Sequence, residues 1–339
     1  MKKKYLAIAT SWLGIAGLFI RFRRLFKKEV IILAYHRVLD RDDNDSYLFD
    51  EELISADSKT FLWQINFLKK HYDIVSFAEL SDRLDGNKSL TGRELIITFD
   101  DGFSDNYSNA YKLLDSVDIP AVFYISTGYM GADKTFWFNE VVHAIKVAKK
   151  LSFSIANKKY NFDCSKENRK KAIQIVLDQL KEIPNEERLK TIESLYRDLD
   201  FSTKTIPASE LPMTWKNINE MASNNMEIGS HAVSHPILSR MTDAEMQEEI
   251  VASKKSIETL TDKACLSIAY PVGGKNEFTE KVKEAAEAAG YEYGLSYISG
   301  INKAKSLKRY SLSRLHIERF YSHEEFKLML YFPEIYSRK

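Results

Sequence analysis

Two short stretches gather side chains that can do chemistry. Thr98-Phe99-Asp100-Asp101-Gly102 puts two adjacent carboxylates after an apolar run, Leu95 to Phe99, that reads as a buried strand. Gly229-Ser230-His231-Ala232-Val233-Ser234-His235-Pro236 puts two imidazoles four residues apart after a second strand-like run, MEIG. Strand ends are where α/β enzymes place their sites. Gly102 frees the backbone to leave the strand sharply, so both carboxylates can turn toward one cleft. Two histidines at this spacing can face one metal from a single turn of helix, and Pro236 stops the helix there. Each fragment also has a plain reading, since Asp-Asp-Gly is a common turn and His-x-x-x-His is often two surface residues. With only seven His in the chain, a pair at one strand end and paired carboxylates at another favour the metal reading.

Two imidazoles and a carboxylate suit one divalent metal ion, Zn²⁺ first and other first-row ions as alternatives. Three protein ligands leave positions open for water and a substrate carbonyl. Such an ion lowers the pKa of water toward ~7 and polarises the carbonyl. A carboxylate not bound to it is then free to take the proton.

The elements that must position these groups alternate between strand and helix. Val30 to Tyr35 and Ala121 to Ser126 read as further buried strands, with helical spacing at Thr60 to Tyr72 and Asn106 to Val117. Residues 139–211 are charged and helical in pattern, an insertion between two α/β portions, with no strand expected before Met226. Strand-like pieces resume at MEIGS, LSIAY, YEYGLSY and YSLSRLHI, and Thr242 to Leu260 is an amphipathic helix. Ser322 and Glu325 form a capping-box signature for a last helix. The fold class expected is α/β.

With 49 basic and 48 acidic residues the net charge is +1, which gives no footprint for nucleic acid. Cys164 and Cys265 have neither metal-ligand spacing nor a disulfide framework around them. Residues 1–29 are set apart. An apolar run of 16 residues, Tyr5 to Ile20, lies between Lys2 to Lys4 and a basic block that ends at Lys28. It is shorter than the roughly 20 residues that cross a bilayer, and the basic block sits where a signal peptide would be cleaved. An uncleaved anchor, an interfacial helix with a basic collar, or a helix packed on its own domain remain open. We expect membrane association through residues 5–28, at the membrane or cell envelope, with a cytoplasmic protein as the alternative.

These motifs together resemble the polysaccharide deacetylase (NodB-homology) family. The resemblance runs from about Val30 to Ile317, with a helical insertion after Phe136 as in one branch of the family. It implies an irregular (β/α) barrel of about seven strands across residues 30–339. It also implies that Asp100 is the base and that Asp101, His231 and His235 hold the metal. Ala269-Tyr270-Pro271-Val272-Gly273 sits where the family has Arg-x-Pro-Tyr-Gly at a groove wall, with the Val272 N–H toward the oxyanion. Ala269 therefore replaces the Arg that orients the base, and no Asp-x-x-Asp-Trp segment supplies its other support. Arg37 and Arg314 are the candidates to clamp Asp100 instead, since a guanidinium grips a carboxylate bidentately. The family's late histidine makes His316 the candidate general acid, and His36, after its strand, is a second histidine to line the pocket.

The function expected is metal-dependent removal of N-acetyl groups from the amino sugars of a polysaccharide or lipid-linked glycan. Hydrolysis of another amide or ester on the same scaffold is the first alternative. A catalytically silent carbohydrate-binding protein is the second, and a carboxylate spare beside the metal argues against it.

Overall fold

The computed structural model describes residues 28–41, 47–202 and 206–337. The amino-terminal segment expected to meet a membrane, residues 1–27, lies outside them. Among the described residues no helix is long and apolar enough to cross a membrane.

Seven parallel strands close on themselves in chain order. They are β1 (Glu29–Tyr35), β2 (Glu94–Phe99), β3 (Ala121–Ile125), β4 (Met226–Ser230), β5 (Ser267–Ala269), β6 (Tyr293–Ser299) and β7 (Leu312–His316). Closure comes from β1, which pairs β2 from Ile31 opposite Leu95 to Tyr35 opposite Phe99, and pairs β7 through Leu33 opposite Leu315. The continuous apolar runs are explained by this closure, because every position of β2 and β3 is buried. Side chains then sort by strand parity. Ile32, Ile96, Val122, Leu295 and Leu312 pack together inside the barrel. Leu33, Ile97, Phe123 and Leu315 pack outward into a layer shared with Phe61, Ile65 and Leu68 of the helix Ser58–His71. Gly229 sits where a Cβ would fall 2.3 Å from the Tyr124 ring, so only glycine lets that ring fill the interior.

The segment Asn106 to Ser116 opens with a π-helical turn, Asn106–Tyr111, before the α-helix Lys112–Ser116. Two side-chain amides dock it beneath the end of β1: Asn106 Nδ2 donates to His36 O (2.7 Å) and Asn109 Nδ2 to Val38 O (2.8 Å). The insertion differs from its expected all-helical character. Between the helices Trp137–Val147 and Lys166–Glu182 stands an antiparallel hairpin, Leu151–Ile155 against Lys158–Phe162. Its strands alternate apolar and polar residues, and its turn, Ala156-Asn157, has both residues left-handed, the geometry of a tight hairpin turn. An Ala-Asn turn lacks the glycine that signals such a hairpin. The helix Asn185–Asp198 completes the insertion.

Arg37 corrects one expectation, for it does not reach Asp100. One residue beyond His36, it points out of the barrel by parity and is fully buried. Its Nε donates to Asp105 Oδ1 (2.8 Å) and its Nη1 to Glu210 Oε2 (2.6 Å) and Tyr47 Oη (2.8 Å), with the guanidinium 4.2 Å from the Phe103 ring centre. This network ties the end of β1 to the loop after β2 and to the end of the insertion. Arg37→Met would leave two buried carboxylates without their cation. We expect it to lower unfolding stability by about 3–5 kcal/mol; an unchanged urea midpoint would contradict that.

Candidate active site

The chemical residues rise from the carboxyl ends of the strands. On β2 the inward positions run Ile96, Thr98, Asp100, so the apolar interior turns polar as it reaches the rim. The Asp100 N–H continues the β1 ladder by donating to Tyr35 O (3.0 Å), which places Asp100 opposite His36. Asp101 and Gly102 then both adopt left-handed backbone (φ 74° and 94°). That reversal turns the second carboxylate into the same cleft, where strand alternation alone would send it outward. Both aspartates are about 2% exposed.

The histidines come from a loop, which corrects the expected helical turn. Ala232 (φ 62°) and His235 (φ 52°) are left-handed, so the chain folds back on itself between the two rings. The loop is held by Glu249, from the helix Asp243–Thr261, which accepts from Val233 N (2.7 Å), Ser234 N (2.9 Å) and Ser234 Oγ (2.6 Å). His231 Nδ1 lies 2.7 Å from Ala269 O, a bond only its N–H can make, which leaves Nε2 as the free ligand atom. Nε2 of His231 and of His235 stand 3.5 Å and 3.3 Å from Asp101 Oδ1. Ligands 2.0–2.1 Å from a common tetrahedral ion are separated by about 3.3 Å, so the donors already stand at ligand spacing. Among the described residues these three bring one ligand atom each within 4.8 Å of one another. Asp101 Oδ2 is buried with no protein partner, as a group left for an ion would be. Burial pushes His235 below its ordinary pKa despite Asp101, keeping it in the neutral form that binds metal. The residues fit a divalent ion.

Asp100 is gripped by Arg314 of β7, with Nη1 to Oδ1 at 2.7 Å and Nη2 to Oδ2 at 2.8 Å. Arg314 is itself fixed by Nε to Ser296 O (2.9 Å) and Nη1 to Thr98 Oγ1 (3.3 Å). Burial pushes the Asp100 carboxyl up, but the Arg314 charge and hydrogen bond, with His231 and His36, together outweigh it and the net shift is downward. A model of the polysaccharide deacetylase family matches residues 87–294. The chain belongs to that family. A Bacillus subtilis relative that bears a polysaccharide deacetylase name, YxkH, is 32% identical over 105 residues, which is 31% of this chain and 36% of that protein's length. Two solved structures share the fold. The deacetylase PplD of Streptococcus pyogenes has TM-score 0.59 and 19% identity, covering 90% of this chain and 98% of that one. A de-N-acetylase from Aggregatibacter actinomycetemcomitans has TM-score 0.58 and 18% identity, covering 88% and 98%.

Around this family constellation lies a pocket of about 350 Å³, lined by His36, Tyr270, Val272 and Arg314 among others. Pro271 does not line it; its carbonyl accepts the Gly273 N–H (2.7 Å) and makes the turn that presents Val272. His316, the expected general acid, does not line this pocket. His316 stacks on the far face of Tyr297, centroids 3.6 Å apart, and lines a neighbouring cavity with Glu318 and Lys275. Tyr297 faces the metal pocket in its place. Several walls carry no motif in the sequence: Asp50, Glu52, Trp137, Leu177 and Lys181 all line the pocket. Trp137 also donates Nε1–H to His235 O (3.0 Å), and Arg188 of the insertion lies 4.5 Å over its ring.

Two measurements test this geometry. One equivalent of a divalent metal ion should survive dialysis, with His235→Ala losing more affinity than the roughly 10–100-fold typical of a supporting residue; retention of the ion by both Asp101→Asn and His235→Ala would remove the site. Val272 is β-branched at φ 63°, a strained conformation. Val272→Gly should therefore raise thermal stability by about 1 kcal/mol, and a lowered melting temperature would contradict the strain.

Proposed function

We propose that the protein is a metal-dependent hydrolase that removes N-acetyl groups from the amino sugars of a polysaccharide or lipid-linked glycan. The observation that carries this is the division of two adjacent carboxylates between two partners, Asp101 with the histidines and Asp100 with Arg314. A binding site alone has no use for the second. When bound, a divalent ion, Zn²⁺ in our reading, supplies Lewis acidity to the acetyl carbonyl and acidifies water.

Asp100 takes the proton of the attacking water at a carboxylate oxygen. Arg314 keeps that carboxylate ionised and aimed, while each oxygen retains a lone pair outside the clamp. The Val272 N–H donates to the oxygen that gains charge. His36 hands a proton of its own to the departing amine while Asp100 holds the one taken from water, because His36 stands opposite Asp100 across the strand ladder and lines the pocket, whereas His316 lies behind Tyr297. This reading divides the chain at about residue 29. The basic and apolar residues 5–28 then hold the barrel at a membrane or the cell envelope, a placement that fractionation of cells with and without residues 1–27 would check.

Acetate release from N-acetylglucosamine oligomers, read with metal content, tests the roles. Asp100→Asn should keep its metal and lose about 10²–10⁴-fold in rate; equal release from both proteins would sink the base assignment. His36→Gln should fall by a comparable factor, about 10²–10⁴, and His316→Gln by less than about tenfold. The reverse order would return the acid role to His316.

A further inference from the structure

The two histidines are aimed by different means. His231 is fixed through its ring, since its Nδ1–H donates to Ala269 O (2.7 Å), the usual second contact of a metal-bound imidazole. His235 has no such contact. Its Nδ1 is buried without a protein partner, and the Phe138 ring, centroids 4.8 Å apart, only packs against it. The direction of His235 Nε2 toward Asp101 Oδ1 therefore follows from its backbone, which is left-handed at Ala232 and again at His235. Such a reversal keeps its shape only where its polar groups find partners. Ile125 O accepts the His231 N–H (2.9 Å), and the Thr127 and Gly128 N–H groups donate to Ala232 O (3.1 Å) and Val233 O (2.8 Å). Ser230 Oγ accepts the Ala232 N–H (3.1 Å), and Trp137 Nε1–H donates to His235 O (3.0 Å). The N–H groups of Val233 and Ser234 remain, and both converge on one atom, Glu249 Oε2, while Oε1 takes the Ser234 hydroxyl. Successive N–H groups in such a turn form a cradle for an anion, and here a side chain fills it.

We propose that Glu249 is the positioning residue for His235: it does through the backbone what Ala269 O does for His231 through the ring, and so sets the affinity of the site for its ion. This rests on the metal reading of Asp101, His231 and His235. Glu249 is itself firmly placed. Its helix, Asp243–Thr261, opens with a capping box at Thr242 and Glu245 and buries Met246, Ile250, Ser253 and Ile257. One turn beyond Glu249, Ser253 Oγ lies 2.7 Å from Ser230 Oγ, so the helix meets the histidine loop at two points. What matters is reach, not charge. A neutral amide oxygen in place of Oε2 can still accept both N–H groups, and its NH₂ can donate to the Ser234 hydroxyl. A side chain one methylene shorter withdraws both oxygens by about 1.5 Å and frees the turn. A ligand atom displaced by more than about 0.5 Å leaves productive geometry.

The test compares Glu249→Gln, which keeps reach without charge, with Glu249→Asp, which keeps charge without reach, and with Glu249→Ala. Zn²⁺ affinity is read by competition with a chelator and ligation by the visible spectrum of the Co²⁺-loaded full chain, beside the melting temperature of the metal-free proteins. Glu249→Asp and Glu249→Ala should each bind Zn²⁺ about 10–100-fold more weakly, and Glu249→Gln should lose less than about tenfold. The Co²⁺ spectrum should change in the first two and match the wild type in the third. The Asp and Gln pair decides the matter even where the alanine variant does not fold. Wild-type affinity in all three, with only the melting temperature lowered, overturns the proposal and leaves the metal reading standing. So does a larger loss in Glu249→Gln than in Glu249→Asp, which would make charge the cause. A wild type that takes up neither ion overturns the metal reading and this proposal with it.

Discussion

Two carboxylates on consecutive residues, both nearly sealed from water, are the constraint on which the site depends. Neighbouring like charges in a low-dielectric interior cannot both stay ionised without separate compensation. The backbone separates them first: Asp100 ends the regular ladder of β2, and Asp101 takes the left-handed turn. The protein then compensates each from a different direction. Asp100 receives a guanidinium from across the barrel interior, and Asp101 receives two imidazoles and the place for a cation. Arg314 can sit there only because Ser296 O and Thr98 Oγ1 absorb its remaining donors. A buried arginine without such partners would be strongly destabilising.

In our reading the same clamp sets the character of Asp100 as the base. A carboxylate held below its ordinary pKa is a weak proton acceptor, a poor choice against bulk water. It becomes adequate when the water to be deprotonated is itself acidified. In our reading, then, Arg314 and the ion are complementary. One keeps Asp100 ionised and aimed, and the other brings the proton's pKa within its reach.

The barrel was legible because closure buries its strands on both faces and writes them as unbroken apolar runs. The group Asp101, His231 and His235 was legible because each of its two fragments, the carboxylate pair and the histidine pair, is compact in sequence. What failed was whatever depended on direction or on distant contacts. Arg37 and His36 are adjacent, but strand parity sends only His36 toward Asp100, so the choice of Arg314 over Arg37 was available in the period-two pattern. His316 shares parity with Arg314, yet two residues along a strand move it about 6.6 Å up the axis, behind the Tyr297 ring. The hairpin at Leu151 to Phe162 escaped because its turn has no glycine and its outer positions are exposed. Nothing local marks Trp137 or Tyr297 as pocket walls, because their roles exist only once residues far apart in the chain have met.

The departures from the family's motif are consistent with one another once the geometry is known. Ala269 gives up a side chain that would orient the base, but its carbonyl still fixes the His231 tautomer. The guanidinium comes instead from β7, two strands further round the barrel. That leaves the wall near the histidine loop to the insertion, and the insertion is bound there at several points. Trp137 reaches His235 O, Arg188 covers the Trp137 ring, and Glu210 joins Arg37 beneath the end of β1. A segment tied into the site in this way has its position fixed by the same contacts that hold the catalytic loops. Its side chains at the pocket wall, Trp137, Leu177 and Lys181, are therefore held as firmly as the loops they face.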